Sequence, residues 1–390
     1  MTTRNRILVL LALAELLGMS VWFSASALAP QLQRAWSLSP VQTGWLTASV
    51  QLGFVAGTAI AAVLNLADLV PMRIYFPVAA LAASACNLAL LAAGGFAPAL
   101  VTRFGTGLFL AGVYPPAMKM IATWYRDARG FAIGTIVGAL TVGKALPYLV
   151  HGLERAGAAP VVLGASAAAA CAAVLVVAGY RDGPFAFERR AFAWSLVGSV
   201  LRHRGTRLAI GGYLGHMWEL YAMWTWIAVF LAAGAGFGPR AADVAGFAAI
   251  AVGGAGCVVG GWLADRYGRE RLTIWSMGAS GSCAALIGFG AASPSLALAI
   301  ALVWGFTVVA DSAQFSALVT ELAPAHAVGT ALTLQTSLGF LLTMGSIQLV
   351  PHLVAGVGWR WAFVALAAGP ACGIAAMRRL RRLRGPHGLS

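Results

Sequence analysis

Twelve apolar stretches follow one another through this chain, and each is long enough to form a helix that crosses a bilayer, which takes about 20 residues. They cover 7–29, 43–66, 74–95, 98–122, 130–151, 159–179, 206–232, 243–264, 271–291, 295–319, 328–352 and 360–378. Turn and breaker pairs stand at the joins, among them Ser39-Pro40, Gly238-Pro239, Ser293-Pro294 and Ala323-Pro324. Only helices and closed barrels satisfy their backbone inside lipid, and runs of this length read as helices. The expected class is an all-α membrane protein.

Composition agrees. The chain is 60% hydrophobic and 10% charged, against about 25% charged for soluble domains. It lacks the polar side chains to cover itself, so its exterior faces lipid. The net charge of +14 comes mainly from 24 Arg, most of them in the joins, a pattern that fits lipid headgroups at the cytoplasmic face and not nucleic acid. Five cysteines all fall in apolar runs without a C-x-x-C pair, so neither a metal site nor a disulfide framework is expected, and no cofactor. The first apolar run, which follows MTTRNR and ends SASALA, has the flavour of a secretory leader. Its 23 residues and its Glu15 read instead as an uncleaved first helix.

Basic residues collect in cytoplasmic loops. With the N-terminus inside, the inner joins and tails hold 19 Arg and the outer ones five (Arg34, Arg103, Arg155, Arg240 and Arg360), so both termini are expected in the cytoplasm of a cell (inner) membrane protein. The longest join contains FAFERRAFAWSLVGSVLRHRG, with Phe192, Leu196 and Val200 about one turn apart and Arg189, Arg190, Arg202 and Arg204 around them. It reads as an amphipathic surface helix that divides the chain into a six-helix bundle at 1–180, a linker at 181–205 and a second six-helix bundle at 206–390 with a basic tail. The expected species is a monomer.

The segment GALTVGK, ending at Lys144, imitates a phosphate-binding loop, but Ala145 stands where that loop needs a hydroxyl, and no strand precedes it. No nucleotide site is expected there. The sequence carries neither H-E-x-x-H nor G-x-S-x-G, and no enzymatic constellation stands out.

The join 260-GGWLADRYGRERL-272 carries Gly261, Asp265, Arg266, Gly268, Arg269 and Arg271 in the pattern G-x-L-A-D-R-x-G-R-x-R. It resembles the inter-helix signature of the major facilitator superfamily. The matching join of the first half, 64-LNLADLVPMR-73, keeps Ala67, Asp68 and Arg73 without the glycines, and Arg103 with Gly107 in RFGTG resembles another family feature. The resemblance implies twelve helices in two bundles. It also implies a cytoplasmic latch at Gly261, Asp265, Arg266, Gly268, Arg269 and Asp68, engaged while the cavity opens outward. The cavity would be lined by the first, fourth, seventh and tenth helices, with parts of the second, fifth, eighth and eleventh. The fifth helix lacks the proline that drug exporters place after the residue equivalent to Gly138.

Charges inside the bilayer are costly, about 2.5–3.5 kcal/mol on insertion scales, and normally face a cavity or a partner. Lys144 shares a helical stripe with Thr141, Tyr148 and His151, next to a small-residue stripe at Gly134 and Gly138. Glu15 shares one with Met19, Trp22 and Ser26; His216 with Glu219, Met223 and Trp226; Asp311 with Gln314 and Thr307. Lys144, Arg103, Tyr148, Thr141, Trp22, Gln51, Gln314 and Trp226 are the expected substrate contacts, and Glu15, His216, Glu219 and Asp311 the expected proton carriers. The whole describes a non-enzymatic secondary transporter with alternating access. Proton-coupled movement of a small organic or inorganic anion leads; proton-driven efflux of drug-like hydrophobic compounds is the alternative.

Overall fold

The computed structural model describes residues 2–125, 129–153, 158–185 and 193–384, apart from the side chains of Ala67, Asp68 and Arg129. Arg126, Arg155, Arg189, Arg190 and Phe192, and the side chain of Asp68, therefore lie outside the described residues. Those residues form helices and no strands. The first ten helices are α1 (Thr3–Gly18), α2 (Ser24–Ala27), α3 (Ala29–Trp36), α4 (Pro40–Val63), α5 (Leu66–Leu69), α6 (Met72–Leu88), α7 (Phe96–Leu110), α8 (Tyr114–Ala122), α9 (Arg129–Leu153) and α10 (Ala159–Gly179). A short α11 (Trp194–Arg202) leads into α12 (Arg204–Ala233), α13 (Pro239–Tyr267), α14 (Arg269–Gly290), α15 (Pro294–Ala310), α16 (Ser312–Leu322), α17 (Val328–Val357), α18 (Trp359–Ala362) and α19 (Ala368–Arg384).

Ten segments of the described residues are long and apolar enough to cross a membrane. The apolar runs read at 7–29 and 206–232 are the two without such a helix. In the first, the helix breaks after Gly18 into a 3-10 turn at Met19–Val21 before α2 resumes. In the second, α12 is 30 residues long but carries Arg, His and Glu along it.

Two seams join the first ten helices to the last eight, α9 against α13 and α4 against α17. The α9–α13 seam is made by small residues: a Cβ on Gly138 would lie 2.7 Å from the Gly254 carbonyl oxygen, and one on Gly254 would lie 3.0 Å from that of Gly138. The α4–α17 seam interlocks, with Phe54 and Phe340 ring centroids 4.7 Å apart and the Thr343 hydroxyl donating to Gln51 Oε1.

α11 buries Val200 and leaves Trp194 75% exposed. The Ala193 N–H in front of it donates to Thr330 Oγ1, 3.0 Å away, so this element leans on the start of α17. In the basic tail, Arg384 makes a 2.7 Å ion pair with Glu270. This arginine serves the protein's own acids.

Candidate functional site

The break in α1 frees backbone carbonyls deep in the protein, and such groups must be satisfied from within. Arg103 of α7 does this. Its Nη2 donates to the carbonyls of Val21 (3.1 Å) and Trp22, and its Nη1 to Ser24 Oγ (3.0 Å) and Asn87 Oδ1 (2.8 Å). Asn87 in turn donates to Ser166 Oγ at 2.9 Å. The guanidinium is fully buried, so the expectation that Arg103 contacts substrate is corrected: both Nη atoms are spent on the fold, and Nε is buried without a partner among the described residues.

The turn that Arg103 holds carries Trp22 into a cage around Lys144. The Lys144 ammonium lies 3.9 Å from the Trp22 ring centroid, 4.8 Å from that of Tyr221 and 5.5 Å from that of Trp224. It donates to the Tyr221 hydroxyl at 2.5 Å. Desolvated cation–π contacts are worth about 2 kcal/mol, and an insertion cost near 3 kcal/mol is thereby largely offset. Glu15 on α1 supplies attraction from a distance, while neither of its own oxygens receives a hydrogen bond.

A pocket of about 60 Å³ touches Lys144, Trp22, Tyr221 and Trp224. The indole N–H groups of Trp22 and Trp224 are buried and have no partner among the described residues. A Trp N–H and a Lys ammonium can only donate, so the residues around this pocket include donors with unused capacity.

Phe54, Tyr114, Ser316 and Thr336 are shared between that pocket and a second cavity of about 590 Å³. Its walls are mostly apolar or aromatic, for example Tyr75, Met118, Ile133 and Leu332, and Asn65, Lys119, Arg269 and Glu321 stand at its mouth. The mouth lies where α4 ends and α17 begins, at the end of the molecule where α1 starts and α19 ends. Beyond Lys144 the opposite end is shut. Tyr148 donates to the Trp224 carbonyl at 3.2 Å, and His151 Nδ1 lies 2.8 Å from Asp243 Oδ2.

Of the residues read as substrate contacts, Lys144 and Trp22 line the small pocket and Gln314 lines the large cavity. Four more sit elsewhere. Thr141 donates to the Val137 carbonyl of its own helix, Tyr148 belongs to the shut end, Gln51 is sealed in the α4–α17 seam, and Trp226 Nε1 donates to the Ile347 carbonyl. His216 and Glu219, which share a stripe, do not bond to each other. His216 Nδ1 lies 3.0 Å from Asp311 Oδ1, and Glu219 accepts from Ser280 Oγ (2.8 Å) and Trp304 Nε1 (2.7 Å). The stripe 216, 219, 223, 226 therefore looks into the last eight helices, and the stripe 213, 217, 220, 221, 224 looks into the pocket. Reading for charge selected the first; the aromatic spacing of Tyr213, Tyr221 and Trp224 was the available signal for the second.

At the 260–272 join, the Asp265 carboxylate sits beside Gly130 in the first turn of α9, its Oδ2 3.1 Å from where a Cβ of Gly130 would be. Gly261 packs against the Gly130 carbonyl, and Gly268 turns the chain with φ +88°, a conformation other residues rarely adopt. Arg269 donates to Glu321 (2.8 Å) and Gln314 (2.6 Å), and Arg266 lies over Trp262 and Tyr267. These arginines thus engage only the last eight helices among the described residues. Asp265 packs against the start of α9, while Asp68, its expected counterpart in the latch, lies outside the described side chains.

The family model of the major facilitator superfamily matches residues 10–347. The chain belongs to that superfamily. No curated protein matches it. Two solved structures of a bacterial homologue of the human lysosomal transporter Spinster share its fold. The inward-facing unoccupied form has a TM-score of 0.71, 18% identity and 97% of both chains covered. The inward-facing occupied form has 0.72 and 18%, covering 98% of this chain and 97% of that one. The protein is a multi-pass membrane transporter of a superfamily that carries small-molecule substrates.

Proposed function

We propose that this superfamily member is a proton-coupled secondary transporter of amphiphilic organic anions in a cell inner membrane. The observation that carries the reading is the small pocket at the blind end of the cavity, lined by Lys144 and by Trp22 and Trp224, whose indole N–H groups have no partner among the described residues. A lysine with no bonded acid among the described residues, beside two indoles with unpartnered N–H groups, favours a carboxylate or sulfonate as ligand. The large apolar cavity leading to it falls in the size range of organic-ligand sites, which favours a solute with an apolar body over an inorganic anion.

The arginine bias supports twelve spans with both termini in the cytoplasm, the broken α1–α2 segment and the polar α12 completing the count. On that orientation the cavity faces inward, and the two halves rock to expose Lys144 to either side. The proton falls to Glu15, whose oxygens are unbonded, in preference to Glu219, whose oxygens are both occupied. The aromatic faces around Lys144 favour a second reading, a lipophilic cation that displaces the ammonium.

The readings separate in a thermal-shift experiment on purified protein. 2-Naphthoate is expected to raise the melting temperature and 2-naphthylmethylammonium to leave it unchanged, with the naphthoate effect lost in Lys144→Gln. Stabilisation by the ammonium compound in both proteins, with none by naphthoate, overturns the anion reading. In proteoliposomes, Glu15→Gln is expected to keep naphthoate exchange and to lose accumulation driven by a pH gradient. Intact accumulation would remove Glu15 from the coupling.

A further inference from the structure

Three side chains of α9, spaced four and three residues apart, reach across to the last eight helices. Lys144 bonds the Tyr221 hydroxyl, Tyr148 the Trp224 carbonyl, and His151 the Asp243 carboxylate. They form a ladder from the blind end of the cavity to the shut face of the molecule. The deepest rung differs from the others because both its partners also line the small pocket, so a solute arriving through the cavity can touch it. Tyr148 and His151 do not line either cavity.

An anionic oxygen is a stronger acceptor for an ammonium than a neutral phenol is. A carboxylate that enters the pocket therefore competes with Tyr221 for the Lys144 protons. Tyr221 and Trp224 lie three residues apart on α12, so a shift that frees the first also draws on the carbonyl that holds Tyr148.

We propose that the Tyr221 hydroxyl is the substrate-displaceable latch of the shut end: the anion takes its place on Lys144, and the loss of this rung releases the ladder. The proposal rests on the anion reading above. It makes Tyr221 a specificity element as well, since a neutral or cationic solute occupies the cavity without unlocking it.

The test uses nitroxide labels at Ala35→Cys and Ala355→Cys, exposed positions at the shut end, in the full chain with its five native cysteines replaced. Their separation is measured by pulsed electron spin resonance with and without 2-naphthoate. In Tyr221→Phe, which keeps the ring, the long-distance population without ligand should rise about 5- to 10-fold, the size of one hydrogen bond, and naphthoate should bind tighter by a similar factor. Tyr148→Phe, which cuts the next rung, should lengthen the distance without tightening naphthoate. Identical distance distributions for Tyr221→Phe and the unsubstituted chain overturn the latch. Opening in Tyr221→Phe with no naphthoate binding to either protein overturns displacement by an anion, and identifies the anion reading as the part that failed. Equal tightening in both tyrosine variants shows a general loosening and also overturns the proposal.

Discussion

Arg103→Leu is expected to yield little folded protein, and what folds should melt roughly 5–15 °C lower. The guanidinium binds four acceptors at once: the carbonyls of Val21 and Trp22, Ser24 Oγ and Asn87 Oδ1. Ser24 and Asn87 keep each other at 2.5 Å when it is removed, and Asn87 keeps Ser166. The Val21 carbonyl keeps Ser24 Oγ at 3.1 Å, but the Trp22 carbonyl is left without a side-chain donor, and an orphaned buried acceptor costs about 1–3 kcal/mol. Arg103→Lys is not expected to rescue, because a point ammonium cannot span four acceptors that a planar fork reaches. Thermal unfolding followed by tryptophan fluorescence checks this. A Leu variant within about 2 °C of the unsubstituted protein would mean that the break holds itself. Surviving Arg103→Lys protein should also bind naphthoate weakly, because the Trp22 carbonyl that Arg103 fixes sits on the same residue as the ring over Lys144.

Gly305→Val should be as severe in the other half. A Cβ at this position of α15 would stand 1.6 Å from the Ala249 carbonyl oxygen of α13. The crossing leaves no slack farther along, since Cβ atoms at Gly256 and Gly260 would stand 2.1 Å from the carbonyls of Phe306 and Ala310. Overpacking against side chains commonly costs about 1–3 kcal/mol, but here the obstacle is backbone and cannot choose another rotamer. The two helices must part, and the strain falls next on Asp311, directly after α15, and on its pairing with His216. Expression yield and monodispersity by size-exclusion chromatography check the outcome, with Gly305→Ala expected to be intermediate. Normal yield of the Val variant would refute the close crossing.

Hydropathy alone delimits nearly every helix, because the lipid demand for about 20 apolar residues is local and each segment must meet it separately. The break after Gly18 is not local. It is made tolerable by an arginine some eighty residues away, so the run 7–29 reads as one uninterrupted helix. The break between α15 and α16 at Asp311 is hidden in the same way inside an apolar run. Lys144 stood out because an isolated lysine in a membrane helix demands a reason. Its partners did not, since helical periodicity groups residues into stripes without saying which way a stripe faces. On α12 the charged stripe turned inward to Ser280 and Trp304, and the aromatic one took the pocket.

The glycine contact between α9 and α13 bears on how the molecule moves. Two backbones meeting at Gly138 and Gly254 carry little side-chain bulk between them, Val142 Cγ2 being the nearest, so they can roll on one another as a bearing. His151–Asp243 lies to one side of that fulcrum and Gly130–Asp265 to the other. A tilt about it spreads one end as it tightens the other, with the axle itself left intact.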